Sequence, residues 1–145
     1  MFKDITSKPE PFFNILPNDW QESIVPFWDL YKDIAKVYVI EIQQKIYVGG
    51  IVFFEIPPDM ENFKDEAIYW SNKEYYYIGY VWTAEDVRGQ NYGSKWLAHL
   101  IENDPNQHFW LTTENTELRY FYEKNGFTFI KKLVNESIEE ELFTL

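Results

Sequence analysis

Residues 74–101, EYYYIGYVWTAEDVRGQNYGSKWLAHLI, change their periodicity once, and that change constrains the fold more than any other feature of the chain. The first part is rich in β-branched and aromatic residues and reads as a strand through Val81 and Trp82. From Gly93 onward, Trp96, Leu97, Leu100 and Ile101 recur at the i, i+3, i+4, i+7, i+8 spacing of one buried helical face. A strand therefore ends in a glycine-bearing loop that opens directly into a helix.

The flanking segments extend this pattern. PNDWQESIVPFWDLYKD sets Trp20, Ile24, Phe27, Trp28 and Tyr31 at helical spacing, and Pro26, which lacks a backbone donor, predicts a kink or two short pieces. KVYVIEIQQKIYVGGIVFFEI breaks once near Gln44-Lys45 and reads as an antiparallel hairpin. PPDMENFKDEA reads as a loop or a short helix, HFWLTT as a short strand, and TELRYFYEKN as a helix stopped by Gly126. FTFIKKL and EEELFTL read as the final strands. The order gives a mixed α/β layer, a mostly antiparallel central sheet flanked by helices. At 145 residues, 46% apolar and with 6 Trp, 11 Tyr and 12 Phe, residues 1–145 are expected to form a single domain with a real core.

Charge and cysteine content limit the chemistry. Thirteen basic residues against 24 acidic ones give a net charge of -11, and no basic stripe is segregated from the acidic background. Nucleic acid is a poor partner for such a surface, whereas a cationic amine is steered toward it. The absence of cysteine removes thiol nucleophiles and thiolate metal sites, and no metal is expected. The N-terminus lacks a signal-peptide apolar stretch and nowhere do 18 apolar residues run together, so a cytoplasmic protein with no membrane contact is expected. The sequon Asn135-Glu136-Ser137 is then a chance match.

Against that acidic background, the loop after Trp82 keeps Arg88, Gly89, Gln90, Asn91, Tyr92, Gly93, Ser94 and Lys95 together. A loop that opens a helix presents unpaired backbone N–H groups at the positive end of the helix dipole, which is a geometry that receives phosphate. Gly89 and Gly93 admit close approach, and Asn91 tolerates a left-handed conformation. The spacing is not that of a Walker loop, since three residues separate the glycines and Ser94-Lys95 is in the wrong order. The dinucleotide fingerprint also fails, for want of a third glycine and of the right interval.

The loop does resemble the Arg/Gln-x-x-Gly-x-Gly/Ala signature of the Gcn5-related N-acetyltransferase (GNAT) family, with Asn91 in place of the first glycine. NTELRYFYEKNGF, residues 115–127, is similar to the family's other signature, an asparagine at a strand end followed by a helix ending in Tyr-Glu-Lys-x-Gly-Phe. The resemblance implies an acyl-CoA N-acyltransferase-like fold in which acetyl-CoA, as cosubstrate, lies where two neighbouring central strands splay apart. It implies that residues 88–94 hold the pyrophosphate and that the main chain of Val81 and Thr83 contacts the pantetheine arm and the thioester carbonyl, a form of oxyanion stabilisation.

Asn115 matches the asparagine that contacts the arm or water beside it, and equally suits a helix N-cap. Tyr122 matches the tyrosine that protonates the departing thiolate, a step open to a phenol that is neutral at working pH. For the base that must take the amine's proton, Glu55 at the end of the second hairpin strand and Glu41 in the first are candidates. Neither His99 nor His108 has a partner pattern for a triad, and both read as structural or exposed. Of the aromatic run Tyr75, Tyr76, Tyr77, Tyr80 and Trp82, alternation splits the members between two faces, leaving one or two to line an acceptor pocket.

The expected activity is direct transfer of the acetyl group to a primary amine, on a small molecule or a protein, by an enzyme that can form a homodimer. Two alternatives stand beside it. A non-catalytic acyl-CoA sensor would bind the same ligand, and Tyr122→Phe tells it from the enzyme. An interaction domain using the N-terminal aromatics would self-associate or capture partners irrespective of coenzyme A.

Overall fold

The periodicity change resolves into a strand, β4 (Tyr76–Thr83), and a 12-residue helix, α5 (Tyr92–Asn103). They belong to a computed structural model that describes residues 1–57 and 60–145. The hairpin forms as β2 (Ala35–Ile42) and β3 (Lys45–Phe53), turning at Gln43 and Gln44, both at positive φ. The later strands are β5 (Phe109–Thr113), β6 (Thr128–Asn135) and β7 (Ile138–Thr144). With β1 (Phe2–Asp4) they form a seven-stranded sheet in the order β1-β2-β3-β4-β5-β7-β6. Every neighbouring pair is antiparallel except β4–β5. This is the mixed, mostly antiparallel sheet expected from the sequence.

Pro26 divides the N-terminal helical stretch as its missing donor dictates. α2 (Asn18–Ile24) ends just before a 3₁₀ turn at Val25–Phe27, and a third helix, α3 (Trp28–Tyr31), follows α1 (Glu10–Phe13) and α2. β1 and α1 are too short to show a period, and the sequence marks their region only as extended and rich in proline. The loop-or-short-helix segment carries a 3₁₀ turn at Glu61–Phe63 and then α4 (Lys64–Asn72), which runs further than its sequence suggests. Only Ala67 and Trp70 of α4 turn inward, while Ile68 and Tyr69 remain exposed, so its apolar pattern is weak. Pro58 and Asp59 lie outside the described residues.

The helices divide between the two faces of the sheet. On one face α1–α3 bury Phe12, Phe13, Leu16 and Ile24 against Val37, Val39, Ile51 and Phe53 of β2 and β3. Further along that face α4 sets Ala67 and Trp70 against Trp110, Leu133 and Leu142. The opposite face belongs to α5 and to α6 (Arg119–Lys124), which bring Trp96, Leu97, Leu100 and Tyr122 onto Ile40, Val48, Ile78, Leu111 and Phe143. Trp96 is fully buried, and its indole Nε1 donates to the carbonyl of Tyr38 at 2.9 Å, so this large ring leaves no polar group unpaired. Gly126, at φ 95°, ends α6 as expected. Among the described residues no helix is long and apolar enough to cross a membrane.

Candidate functional site

β4 and β5 hydrogen-bond as a parallel pair only at Tyr76↔Phe109 and Tyr77↔Trp110. Beyond that point the strands part, leaving 78–83 of β4 and 111–113 of β5 facing a gap. On its other side β4 stays paired with β3, but with a bulge: Gly49 pairs with Trp82 and Ile51 with Gly79, so Tyr80 and Val81 share the single opposite residue Gly50. Tyr80 sits at φ 56°, a conformation an L-residue adopts only when its surroundings hold it there. Gly50 has no room for a side chain, since a Cβ would lie 2.7 Å from the Trp96 ring. The bulge shifts the alternation by one residue. Tyr80 and Trp82 therefore join Tyr77 on the face covered by α1–α3, while Val81 turns toward α5.

The chain leaves β4 at Thr83 and enters a 3₁₀ turn, Glu85–Val87, fastened by buried Val87 and by a bond from the Ala84 amide to the Tyr47 carbonyl. Gly89 at φ 79° and Asn91 at φ 69° then reverse it into α5. The first bond closing the helix runs from the Lys95 amide to the Asn91 carbonyl, and the Asn91 side chain makes no cap. Among the described residues, the backbone N–H groups of residues 89–94 find no backbone acceptor. They are left as a row of donors at the positive end of a long helix, an arrangement suited to an anion.

Two further contacts fix this row beside the gap. A Cβ at Gly93 would lie 3.1 Å from the Phe121 ring and 3.9 Å from Thr83 Oγ1, so α5 begins wedged between β4 and α6. Asn125 donates to Ser94 Oγ at 3.1 Å and to the Phe121 carbonyl at 2.7 Å, tying the helix start to α6. Arg88 folds back on the strand: its Nε donates to the Thr83 carbonyl at 3.1 Å and its guanidinium lies over the Trp82 ring at 4.4 Å. That uses one of its five N–H donors and leaves the rest for an anion. The Lys95 ammonium lies over the Tyr92 ring at 4.6 Å.

Tyr122 stands on the α5–α6 side of the gap, 8% exposed, among the rings of Phe121, Phe127 and Phe143. Desolvation pushes its phenol up to about 12, so it is neutral near pH 7 and able to donate a proton. On the other face, at the point where the strands separate, the Tyr77 and Thr112 hydroxyls lie 3.3 Å apart and join β4 to β5. Burial pushes the Tyr77 phenol well above its ordinary value, and the Tyr122 phenol is near enough to add to that shift. Thr112 also hydrogen-bonds Glu140 of β7, whose carboxyl is raised by desolvation and by the charge of Glu114.

Nearer the loop, on the α1 side, an open cavity of about 550 Å³ is lined by Pro11, Ile15, Glu41, Lys45, Trp82 and Glu85. Glu41 is bridged by Lys3 at 2.7 Å, and Lys45 pairs with Asp86.

The sequence-predicted residues divide clearly. Val81, Thr83, Arg88, Gly89, Gln90, Asn91, Tyr92, Gly93 and Ser94 form one continuous wall from the gap to the start of α5. Tyr122 meets them from α6. Asn115, just past the end of β5, accepts from the Glu117 amide at 3.0 Å and so caps the turn leading to α6, while its own amide donates to Thr113 Oγ1. Glu55 is not brought to the gap. It is exposed two residues beyond β3, and since Phe53 pairs with Tyr77 it lies on the closed side, where β4 and β5 are still joined. Thr112 and Glu140 carry no motif, and sequence reasoning did not select them; Tyr77 belongs to the aromatic run from which one or two residues were expected to line an acceptor pocket. The strand end in HFWLTT was the one available signal for Thr112, and Glu140 is hidden in a run of glutamates.

The acetyltransferase (GNAT) family model matches residues 3–127. Solved structures share the fold across nearly the whole chain. An IAA acetyltransferase from Bacillus cereus has a TM-score of 0.67 at 13% identity, covering 100% of this chain and 97% of its own. A GNAT family acetyltransferase from Elizabethkingia anophelis with acetyl-CoA bound has a TM-score of 0.63 at 16% identity, covering 100% and 96%. An acyl-CoA N-acyltransferase from Pseudomonas aeruginosa has a TM-score of 0.64 at 10% identity, covering 99% and 97%. No curated protein matches.

Proposed function

The chain belongs to the acetyltransferase (GNAT) family, and we propose that it is an N-acetyltransferase moving the acetyl group of acetyl-CoA directly to a primary amine. The observation that carries this reading is the row of free amides at residues 89–94, which opens onto a gap where β4 has lost its partner strand. An arm held by its phosphates at the start of α5 and running down the free edge of β4 passes residues 83 to 78, about 17 Å at strand rise. It ends near the Tyr77 and Thr112 hydroxyls, with Tyr122 on the α5–α6 side of the sheet. The edge itself offers main-chain groups of the kind an added strand would use.

Acetyl-CoA supplies an electrophilic thioester carbonyl. The chain's residues do the rest. The amides of residues 89–94, with Arg88 and Lys95, neutralise the phosphates in a protein whose overall charge would repel them. The main chain of Val81 and Thr83 orients the arm and polarises the thioester carbonyl, while Asn115, beyond its capping bond, presents its side-chain amide at the far edge of the gap. Tyr122, kept protonated by burial, gives its proton to the departing thiolate. The net charge of -11 draws a cationic amine toward the face left free by α5 and α6.

Calorimetry with acetyl-CoA tests the reading. Wild type is expected to bind, and the double variant Arg88→Ala, Gly93→Val to lose binding while remaining folded. Tyr122→Phe is expected to keep affinity and lose transfer; a folded wild type that does not bind acetyl-CoA sinks the proposal.

A further inference from the structure

We infer that Glu140, acting through the Thr112 hydroxyl, receives the proton that the acceptor amine must lose; this rests on the N-acetyltransferase reading above. The argument begins with approach. α1–α3 cover β2 and β3, and α4 covers β5 to β7, so the line between them runs over the separation of β4 and β5. With α5 and α6 on the opposite face, an amine approaching along this line would meet Tyr77, which packs against both clusters, and Thr112 beside it. The polar side chains there are the Tyr77 and Thr112 hydroxyls, 3.3 Å apart.

The direction of their hydrogen bonds follows from the groups involved. An ionised carboxylate only accepts, so Thr112 donates to Glu140 and its oxygen is free to accept. The Tyr77 phenol, held neutral, donates to one lone pair of Thr112 Oγ1. The second lone pair remains for an ammonium N–H. Tyr77 thereby orients the Thr112 proton toward Glu140.

The charged groups facing Glu140 explain why it is suited to the task. Continuing the β5–β7 register, in which Thr113 pairs with Glu141, sets Glu114 opposite Glu140. On the other side Leu133 of β6 pairs with it and contributes no charge. On the α4 side Glu66 is paired with Lys131 of β6. Glu140 is thus a half-buried carboxylate with a like-charged neighbour and, among the described residues, no ion-pair partner, a setting in which taking up a proton relieves both burial and repulsion. Its neighbour in sequence, Glu141, faces the other side, 6% exposed, with Oε2 4.0 Å from Arg119.

The step balances. The ammonium passes one proton to Thr112 Oγ1 as the Thr112 proton moves to Glu140. The freed lone pair forms the N–C bond to the thioester carbonyl carbon, the C–S bond breaks, and the second amine proton ends on the sulfur by way of Tyr122. Ammonium, thioester and carboxylate become amide, thiol and carboxylic acid, and Glu140 returns its proton to solvent between turnovers.

The test combines thiol release, using spermidine and tyramine as probe amines, with a direct titration. Glu140→Gln and Thr112→Val are expected to bind acetyl-CoA calorimetrically like wild type, to lower kcat/KM about 100-fold near neutral pH, and to lose the acid limb of its pH profile. Thr112→Ser, which keeps the hydroxyl, is expected to restore it. Independently of turnover, the Glu140 carboxyl, followed by ¹³C NMR and assigned with Glu140→Gln, should titrate above the ordinary carboxylate range and fall when spermidine is added to the coenzyme A complex. An unchanged acid limb in Glu140→Gln, or a Glu140 signal that titrates normally and ignores spermidine, overturns the inference. Wild type that fails to bind acetyl-CoA overturns the acetyltransferase reading instead.

Discussion

The two faces of the sheet meet the gap in different ways. On the α5–α6 face the site is made mainly of backbone: free amides, two left-handed residues and a glycine pressed against Phe121, all contributed by one short stretch. On the α1–α4 face it is made of side chains, with Tyr77, Tyr80 and Trp82 from β4, Thr112 from β5 and Glu140 from β7. The difference teaches that one half of the site is local, built from the backbone of a single loop and helix start, whereas the other is assembled from side chains of strands distant in sequence.

The largest expected effect would break both halves at once. Trp96→Ala empties the volume beside Gly50 and leaves the Tyr38 carbonyl without its donor, costing about 3–5 kcal/mol. Thermal melting checks this, and loss of acetyl-CoA binding should follow the loss of fold. Next comes Gly93→Val, which separates the halves. Its branched side chain must displace Phe121 at a cost of about 1–3 kcal/mol of strain, and the amide row moves with it. Calorimetry should show acetyl-CoA binding weakened far more than the melting temperature falls.

Tyr122→Phe should leave affinity within a factor of about two and lower turnover about 100-fold, as removal of a positioned acid does. Arg88→Ala is expected to be milder, weakening acetyl-CoA binding roughly fivefold, because this exposed guanidinium is one contributor beside many amides. That loss should shrink as salt is raised.

The smallest effect has the most specific sign. Glu140 has its pKa raised in the folded protein, so its contribution to stability is fully present below the unfolded value and is lost as pH rises through the folded one. Glu140→Gln should therefore gain in melting temperature relative to wild type as the pH is raised toward neutrality. A variant that is more stable yet slower would mark this carboxylate as kept for work other than folding.

The same division explains what the sequence disclosed. Residues 85–101 and 115–127 hold a loop, its helix and a second helix at fixed spacing, and the structure sets both segments beside the gap between β4 and β5. The strands β2 to β7 were legible because β-branched and aromatic runs bounded by turn residues have little alternative. Tyr80 was not legible. Its bulge depends on Gly50 and Trp96, distant in sequence, and without the bulge the alternation assigns Tyr80 and Trp82 to the wrong face. Glu55 misled for a related reason: a glutamate at a strand end says nothing about which end of the neighbouring strands comes apart. Glu140 and Glu141 are adjacent and chemically identical; alternation puts them on opposite faces, and only the pairing of β7 between β5 and β6 decides which face each one takes.

The two residue pairs that join β4 to β5 also have a mechanical meaning. Strands β1–β4 form one plate and β5–β7 another, and the seam between them is stitched at a single end. A seam stitched at one end leaves a free strand edge, on which an inserted ligand would serve as the absent rung of the ladder. Amide hydrogens along residues 78–83 that point into the seam should exchange readily in the free protein and become protected on acetyl-CoA binding, so that the sheet is completed by its substrate.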